Sequence, residues 1–334
     1  MKNFLSLLLS FIIVIAVVPC VGLAFKDEVT ALNKNGDIKD VLNKKNADAS
    51  TQKKLFNAED CVKVYLTKEK RQEKVSKTFY IISVLAGEID INSPSEALKA
   101  QAVCINTFLK RTMENSSKSY DITDSPSHHQ AYFSKKELKR VWGEDYDKNY
   151  NKLKKVVQSV EGEYLSFGGE TALACYHSAN AGFTESSQNY WSEAHPYLES
   201  VVSIGDSLSP EYISYRTIKP TELKKKLMSV KYKSFTFPDS PSDWIGKIKR
   251  TKSHGVSEIN IASTSLTGRE VRELLSLKSS VFYPEYKNGE FIFTVYGYGH
   301  AVGLSQAGAV YMAKLGFDYR EILTHYYNGV EISK

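Results

Sequence analysis

Cysteine is scarce in this sequence, with 4 among 334 residues. Cys20 lies in an uncharged N-terminal run, which leaves Cys61, Cys104 and Cys175 for the body of the chain. Three thiols cannot all pair with one another, so no disulfide framework is expected. A dense basic run is also missing. The net charge of +6 is mild for this length and gives no case for nucleic acid, though it suits an anionic cell wall or membrane surface. Internal repeats are absent. Hydrophobic content of 42% beside charged content of 25% belongs to a globular protein, not a disordered one. A chain of this size buries one large core or two smaller ones.

Charge is absent altogether from Phe4 to Phe25. Twenty or so apolar residues are enough to span a bilayer. A cleaved signal peptide is the rival, but its apolar core is usually shorter and ends at an A-x-A-like site, which Gly22-Leu23-Ala24 matches only in part. The length favours an uncleaved membrane anchor over residues 1–25, with the rest outside the cytoplasm. Residues 26–58 are polar and lack aromatic side chains until Phe56, as a linker does. Residues 59–334 are then the folded domain. Its expected class is α+β, with mixed helices and short strands in a main lobe and a second inserted lobe over about 206–290.

Tyrosine, by contrast, is abundant at 21 residues. Packing accounts for many of these rings, and some suit stacking against sugars.

The stretch from Phe79 to Met113 organises the rest. An apolar run, Phe79 to Leu85, leads to an acidic residue, Glu88, and then a turn at Asp90-Ile91-Asn92-Ser93. Ser93 is placed to N-cap a following helix, with Pro94 at its first position and Glu96 where a capping-box Glu reaches back. Leu98, Ala102, Ile105 and Leu109 recur at helical spacing and give that helix a buried face. The capping box explains Glu96 without chemistry. Glu88 has no such explanation. Leu85 and Ile89 flank it, and burial there would raise its pKa and keep it protonated near neutrality, as a catalytic acid requires.

Further along, Cys61 to Leu66 alternates as a strand, and residues 67–77 form a charged, hairpin-like connection. Residues 134–142 and 148–160 are helical in pattern. Glu163 to Phe167, Gly168-Gly169 and Ala172 to Ser178 predict a hairpin with a Gly-Gly turn. Residues 182–202 are mostly irregular. Helices are expected at 221–228 and 268–277, and a strand from Phe291 to Val295 re-enters the core. Near the C-terminus a glycine-rich loop, Gly297 to Gly303, leads into a helix capped by Ser305 and stopped at Gly316, and a second helix opens at Asp318 with Glu321 at the capping-box position. The loop is G-x-G-x-x-x-G with no ribose-binding acid after it, a weak dinucleotide signature.

Cys175 and His177 lie two apart on a predicted strand and so face one side. His128-His129 precede Gln130, and Cys104 lies on the long helix. Two His with one or two Cys make a tetrahedral site, so His129, Cys175, His177 and Cys104 are the expected ligands of a structural zinc ion.

Four blocks in these stretches resemble the SpoIID/LytB family. They are Val84-Leu-Ala-Gly-Glu88 with Glu96-Ala-Leu-Lys-Ala-Gln-Ala-Val103; Asp121-Ile-Thr-Asp124 with Gln130-Ala-Tyr132; Tyr176 to Glu185 with Trp191 and Pro196-Tyr-Leu198; and Gly299 to Gly308 with Ile322 to Tyr327. They follow family order over most of residues 61–334. The chain departs from the family at Asn106, where the pattern has Arg, and at Ala181 and Ala301, where it has Gly. The resemblance implies a lytic transglycosylase that cleaves peptidoglycan strands in engulfment during sporulation, with Glu88 as the acid. It also implies Tyr176, Thr184, Glu185, His300, Ser305 and Gln306 as residues that bind sugar or orient Glu88. Implied partners are peptidoglycan strands, a SpoIIP-like amidase and a SpoIIM-like membrane scaffold. A non-catalytic enhancer of a wall amidase is the other activity found among such relatives.

Overall fold

The structure, a computed structural model, describes residues 61–126 and 128–334. The expected anchor and linker lie outside the described residues. Among those described, no helix is long and apolar enough to cross a membrane.

The described chain opens with β1 (Cys61–Leu66) and β2 (Arg71–Ser76), paired antiparallel from Cys61↔Ser76 to Leu66↔Arg71. The charged stretch expected as a connection is therefore a strand. It sits at a sheet edge, where charged side chains point to water and discourage further pairing. Ser76 then caps α1 (Lys77–Glu88) by accepting the Phe79 N–H. Tyr80, Ile81, Ile82, Val84 and Leu85 are all buried, so this helix is apolar around most of its girth and belongs in a core. Its β-branched residues would suit a strand, but packing against neighbouring helices decides the outcome.

The long helix α2 (Ser95–Glu114) starts one residue later than the sequence implies. Pro94 is its N-cap and no side chain caps it, so the expected Ser93–Glu96 box does not form. Glu96 instead reaches across the fold, accepting the Tyr319 N–H at 3.1 Å and pairing with Lys99 at 2.6 Å. β3 (Ile122–Thr123) joins β1 in parallel. A loop then leads to α3 (Lys135–Trp142), opened by a Ser134–Glu137 capping box, and to α4 (Tyr146–Ser159).

β4 (Tyr164–Phe167) and β5 (Glu170–Thr171) turn at Gly168-Gly169, but the second arm of the expected hairpin is only two residues long. The chain then departs to β6 (Tyr176–His177), whose partner lies far along the sequence. A short α5 (Ser187–Trp191) follows, capped by Ser186.

Residues 218–295 supply a hydrophobic core of their own, centred on Phe282, Phe291, Phe293 and Trp244. It is built from β7 (Ile213–Ile218), α6 (Pro220–Met228), β8 (Ile245–Arg250), β9 (Val256–Ile261), β10 (Thr264–Leu266), α7 (Gly268–Leu275), β11 (Val281–Lys287) and β12 (Glu290–Tyr296). Two three-stranded sheets run in the orders β10-β9-β8 and β11-β12-β7. The chain returns through β13 (Leu304–Ser305), which pairs in parallel with β6, then α8 (Gln306–Lys314), α9 (Tyr319–Tyr326) and β14 (Glu331–Ser333) on β4. Ser305 caps α8, and Asp318 forms a capping box with Glu321 on α9. The architecture is mixed α+β with small sheets.

Candidate active site

Glu88 occupies the last turn of α1, where the negative end of the helix disfavours a second negative charge. Burial is the largest influence on its carboxyl and raises the pKa above the ordinary carboxylate range. Three donors work the other way: the Ala131 N–H, the Tyr176 hydroxyl and the Gln306 side chain. Burial prevails, as the sequence context of Leu85 and Ile89 implies.

Each donor arrives from a different segment. The loop at 130–133 is pinned to α1 in several places. Ser83 Oγ accepts the Phe133 N–H at 2.8 Å and donates to the Phe133 carbonyl, while Tyr80 donates to Gln130 Oε1 at 3.1 Å. Gly87 fits beneath the Phe133 ring, because a Cβ there would lie 2.5 Å from that ring. Gln130 Nε2 then donates to the Tyr176 hydroxyl at 3.0 Å, which leaves the hydroxyl proton for Glu88. Tyr176 stands on β6 opposite Leu304 of β13, and Gln306 opens α8 just beyond. One parallel pairing thus delivers two donors to the same carboxyl.

An open cleft of about 560 Å³ surrounds this group. Phe108, Trp191 and Tyr298 give it aromatic walls, and His300 and Gly299 lie on its floor. His300 packs against Trp191 at 5.1 Å and against His177 at 5.8 Å between ring centroids. Its Nδ1 accepts the Val302 N–H, so the imidazole is neutral, and burial holds its pKa well below the ordinary value, with His177 and Arg272 adding to the effect. His177 is likewise neutral, pushed down to about 3 by burial.

The remaining expected sugar contacts stand elsewhere. Thr184 is 0% exposed, and its hydroxyl accepts the Val201 N–H at 2.8 Å. Glu185 is also buried, its carboxylate accepting from Ser186 N–H, Asn189 and Thr251. Ser305 is buried too and donates to Asp206. These three are buried and do not line the cleft, which leaves them the other expected role, orienting the groups around Glu88. Tyr176, His300 and Gln306 do line it.

The expected zinc ligands do not fit a metal. Among the described residues, no group of three or more His, Cys, Asp or Glu side chains is placed to hold an ion. Both ring nitrogens of His177 are engaged, by the Val302 carbonyl and by Asn180, each at 3.3 Å. His129 Nδ1 meets Thr123 Oγ1 at 2.8 Å. Burial pushes both the Cys104 and Cys175 thiols up to about 12. Cys104 instead contacts the Tyr327 hydroxyl, which donates to the Cys175 carbonyl.

Asp206 is the residue that sequence reasoning missed. It is 0% exposed and accepts from the Asn180 N–H, Ser203 and Ser305. Burial raises its pKa to about 6. A lone Asp near an irregular stretch carries no sequence signal for this position.

A family model described as Stage II sporulation protein matches residues 65–167, the span that holds Glu88 and Gln130. Stage II sporulation protein D of Bacillus amyloliquefaciens is 37% identical over 278 residues, covering 82% of this chain and 78% of that protein. The protein of the same name in Bacillus subtilis (strain 168) is 37% identical over 280 residues, with 82% and 79% covered. An amidase enhancer of Bacillus subtilis (strain 168) is 24% identical over 300 residues, covering 75% of this chain and 40% of that protein. Identity of 37% sustained over 82% of the chain establishes that it belongs to the stage II sporulation protein D (SpoIID) family.

Proposed function

We propose that this protein is a peptidoglycan lytic transglycosylase, cutting strands between N-acetylmuramic acid and N-acetylglucosamine and leaving a 1,6-anhydro end. The observation that carries this reading is a solitary acid. Among the described residues lining the cleft, Glu88 is the one carboxyl, and its surroundings favour the protonated form. Hydrolysis of a glycosidic bond normally uses two carboxyl groups, roughly 5–9.5 Å apart. A single acid that gives one proton and takes another back suits an intramolecular displacement. Glu88 donates its proton to the glycosidic oxygen as the bond to the muramyl C1 breaks, and the substrate's N-acetyl group steadies the developing cation. The resulting carboxylate accepts the proton of the 6-hydroxyl while that oxygen closes on C1. Glu88 ends protonated and no water is consumed. Tyr176, Gln306 and the Ala131 N–H stabilise the carboxylate between the two transfers, and Phe108, Trp191 and Tyr298 offer faces for sugar rings.

The uncharged run from Phe4 to Phe25 supports a membrane-anchored protein working outside the cytoplasm, at the septum or engulfing membrane. The family implies a SpoIIP-like amidase and a SpoIIM-like scaffold as its partners. A second reading, a wall-binding protein that stimulates an amidase without cutting, draws on the likeness to the amidase enhancer. The deciding experiment incubates purified glycan strands with the protein and weighs the products. Ends lighter by one water than hydrolysed ends support the transglycosylase. Intact strands, with an amidase accelerated, support the second reading.

A further inference from the structure

A second cleft, of about 420 Å³, continues the first. Phe108 and His129 line both. One helical turn beyond Phe108, Arg111 projects from α2 into this extension, and Lys118 faces it from the loop after the helix. Arg111 is half-buried and spends one N–H on the Thr171 carbonyl at 2.6 Å, leaving four of the five a guanidinium carries. Lys118 lies over the Tyr120 ring at 5.2 Å. Neither cation has a carboxylate within ion-pair distance among the described residues. Asp121, the acid in this lining, accepts the Lys63 N–H at 2.7 Å. Glu114, which feels Arg111, is taken up by Lys110 at 2.8 Å and by the Thr171 hydroxyl. The C-terminal end of α2 opposes an anion here, but its half charge is outweighed by two full ones.

We infer that this extension is a subsite for a carboxylate carried by the strand whose sugars occupy the Glu88 cleft. The inference rests on the glycan-binding reading above and refines it: recognition reaches past sugar faces to an acidic substituent. Muramyl sugars offer two sources of that chemistry, the lactyl carboxyl when bare and the peptide carboxylates when the lactyl group is amide-linked to a stem. A guanidinium beside an ammonium suits either, through charge-assisted bonds.

The test uses the full chain carrying Glu88→Gln, so that strands are bound and not cut. Calorimetry compares length-matched chitin oligomers, strands with bare lactyl groups and strands with peptide stems. One of the two acidic strands is expected to bind roughly tenfold tighter than chitin, with the advantage shrinking as salt rises; which one it is identifies the source. Adding Arg111→Gln and Lys118→Gln should erase the advantage and leave chitin affinity intact. Equal affinity for all three glycans, or an advantage that survives the double change, overturns the subsite alone. Failure to bind any glycan overturns the functional reading and the subsite with it. Should Arg111→Gln disturb the fold through Thr171, the exposed Lys118→Glu decides by itself, and an unchanged preference there overturns the proposal.

Discussion

The Ser305 hydroxyl donates to the buried carboxyl of Asp206, and the next residue, Gln306, donates to Glu88. Asp206 also holds Asn180 and Ser203, so one interior acid sets the position from which Gln306 reaches the cleft. Its pKa is about 6 in the folded protein, against an ordinary 3.8. A raised carboxyl binds its proton more tightly folded than unfolded. Its contribution is therefore most favourable below about pH 4 and is lost as pH rises to about 6. Two pKa units put the ceiling on that loss at roughly 3 kcal/mol. Asp206→Asn removes the titration but keeps an acceptor. Urea melts across pH 4 to 7 should show the wild type losing stability relative to Asp206→Asn, and parallel curves would contradict this account.

On the proposed mechanism, Glu88 serves as the acid only while protonated. Its raised pKa keeps the protonated form populated at higher pH than an exposed Glu would, and cleavage should fall as pH rises through that value. Glu88→Gln should reduce glycan cleavage by ~10²–10⁴-fold with binding retained. Tyr176→Phe makes a sharper prediction. The hydroxyl it deletes favours the ionised form, so the alkaline limb of the pH–rate profile should move to higher pH even as the maximal rate drops. A limb displaced to lower pH would mean that Tyr176 does not donate to Glu88.

Ala301 stands where the family pattern has glycine, and it adopts φ +64. Its carbonyl accepts the Glu185 N–H at 2.7 Å, which fixes this left-handed turn. A side chain in that region costs about 1 kcal/mol relative to glycine, so Ala301→Gly should stabilise the protein by about that much. Gly303 predicts the opposite result. It has φ +72, and a Cβ there would lie 2.1 Å from the Cys175 carbonyl oxygen, so Gly303→Ala should cost several times more. Thermal melts of the two variants should shift in opposite directions.

Glu96 meets the N-terminus of α9 through the Tyr319 N–H while half-exposed beside Lys99. Glu96→Gln retains an acceptor for that N–H and loses the charge. A loss of about 0.5–1 kcal/mol is expected, with cleavage near normal. A folded but inactive Glu96→Gln, beside an active Glu88→Gln, would exchange the roles assigned to the two acids.

Local rules reached some of this architecture directly. The cap at Ser305, the box at Asp318 and the strand at Cys61 each depend on residues within one turn or one alternation, and they stand as the sequence implies. The upward shift of the Glu88 pKa follows the direction its apolar sequence context implies, although the groups that meet its carboxyl, Ala131, Tyr176 and Gln306, come from distant segments. The failures share a different cause. β6 and β13 contribute two residues apiece, too few for any periodicity, yet they bring Tyr176 and Gln306 together from far apart. Thr184 and Glu185 have the chemistry of sugar contacts, but isolated bridges at Phe183 and Glu185 turn them inward. Cysteine and histidine spacing supplied zinc-like ligand types, whereas Tyr327 took the hydroxyl-sized gap beside Cys104 and Cys175.

Ile213 and Tyr296 face one another across β7 and β12, and the Gly297 N–H donates to the Tyr212 carbonyl at 2.7 Å just outside them. The chain thus leaves for its second core and comes back at a single doorway. By connectivity, everything between those points is one hairpin with a very large head. Insertions joined at neighbouring ends are the kind a fold tolerates best. Growth or exchange of this head is accordingly constrained where it meets the scaffold, through Thr251 on Glu185, Ser253 on Thr184 and Arg272 on Tyr190.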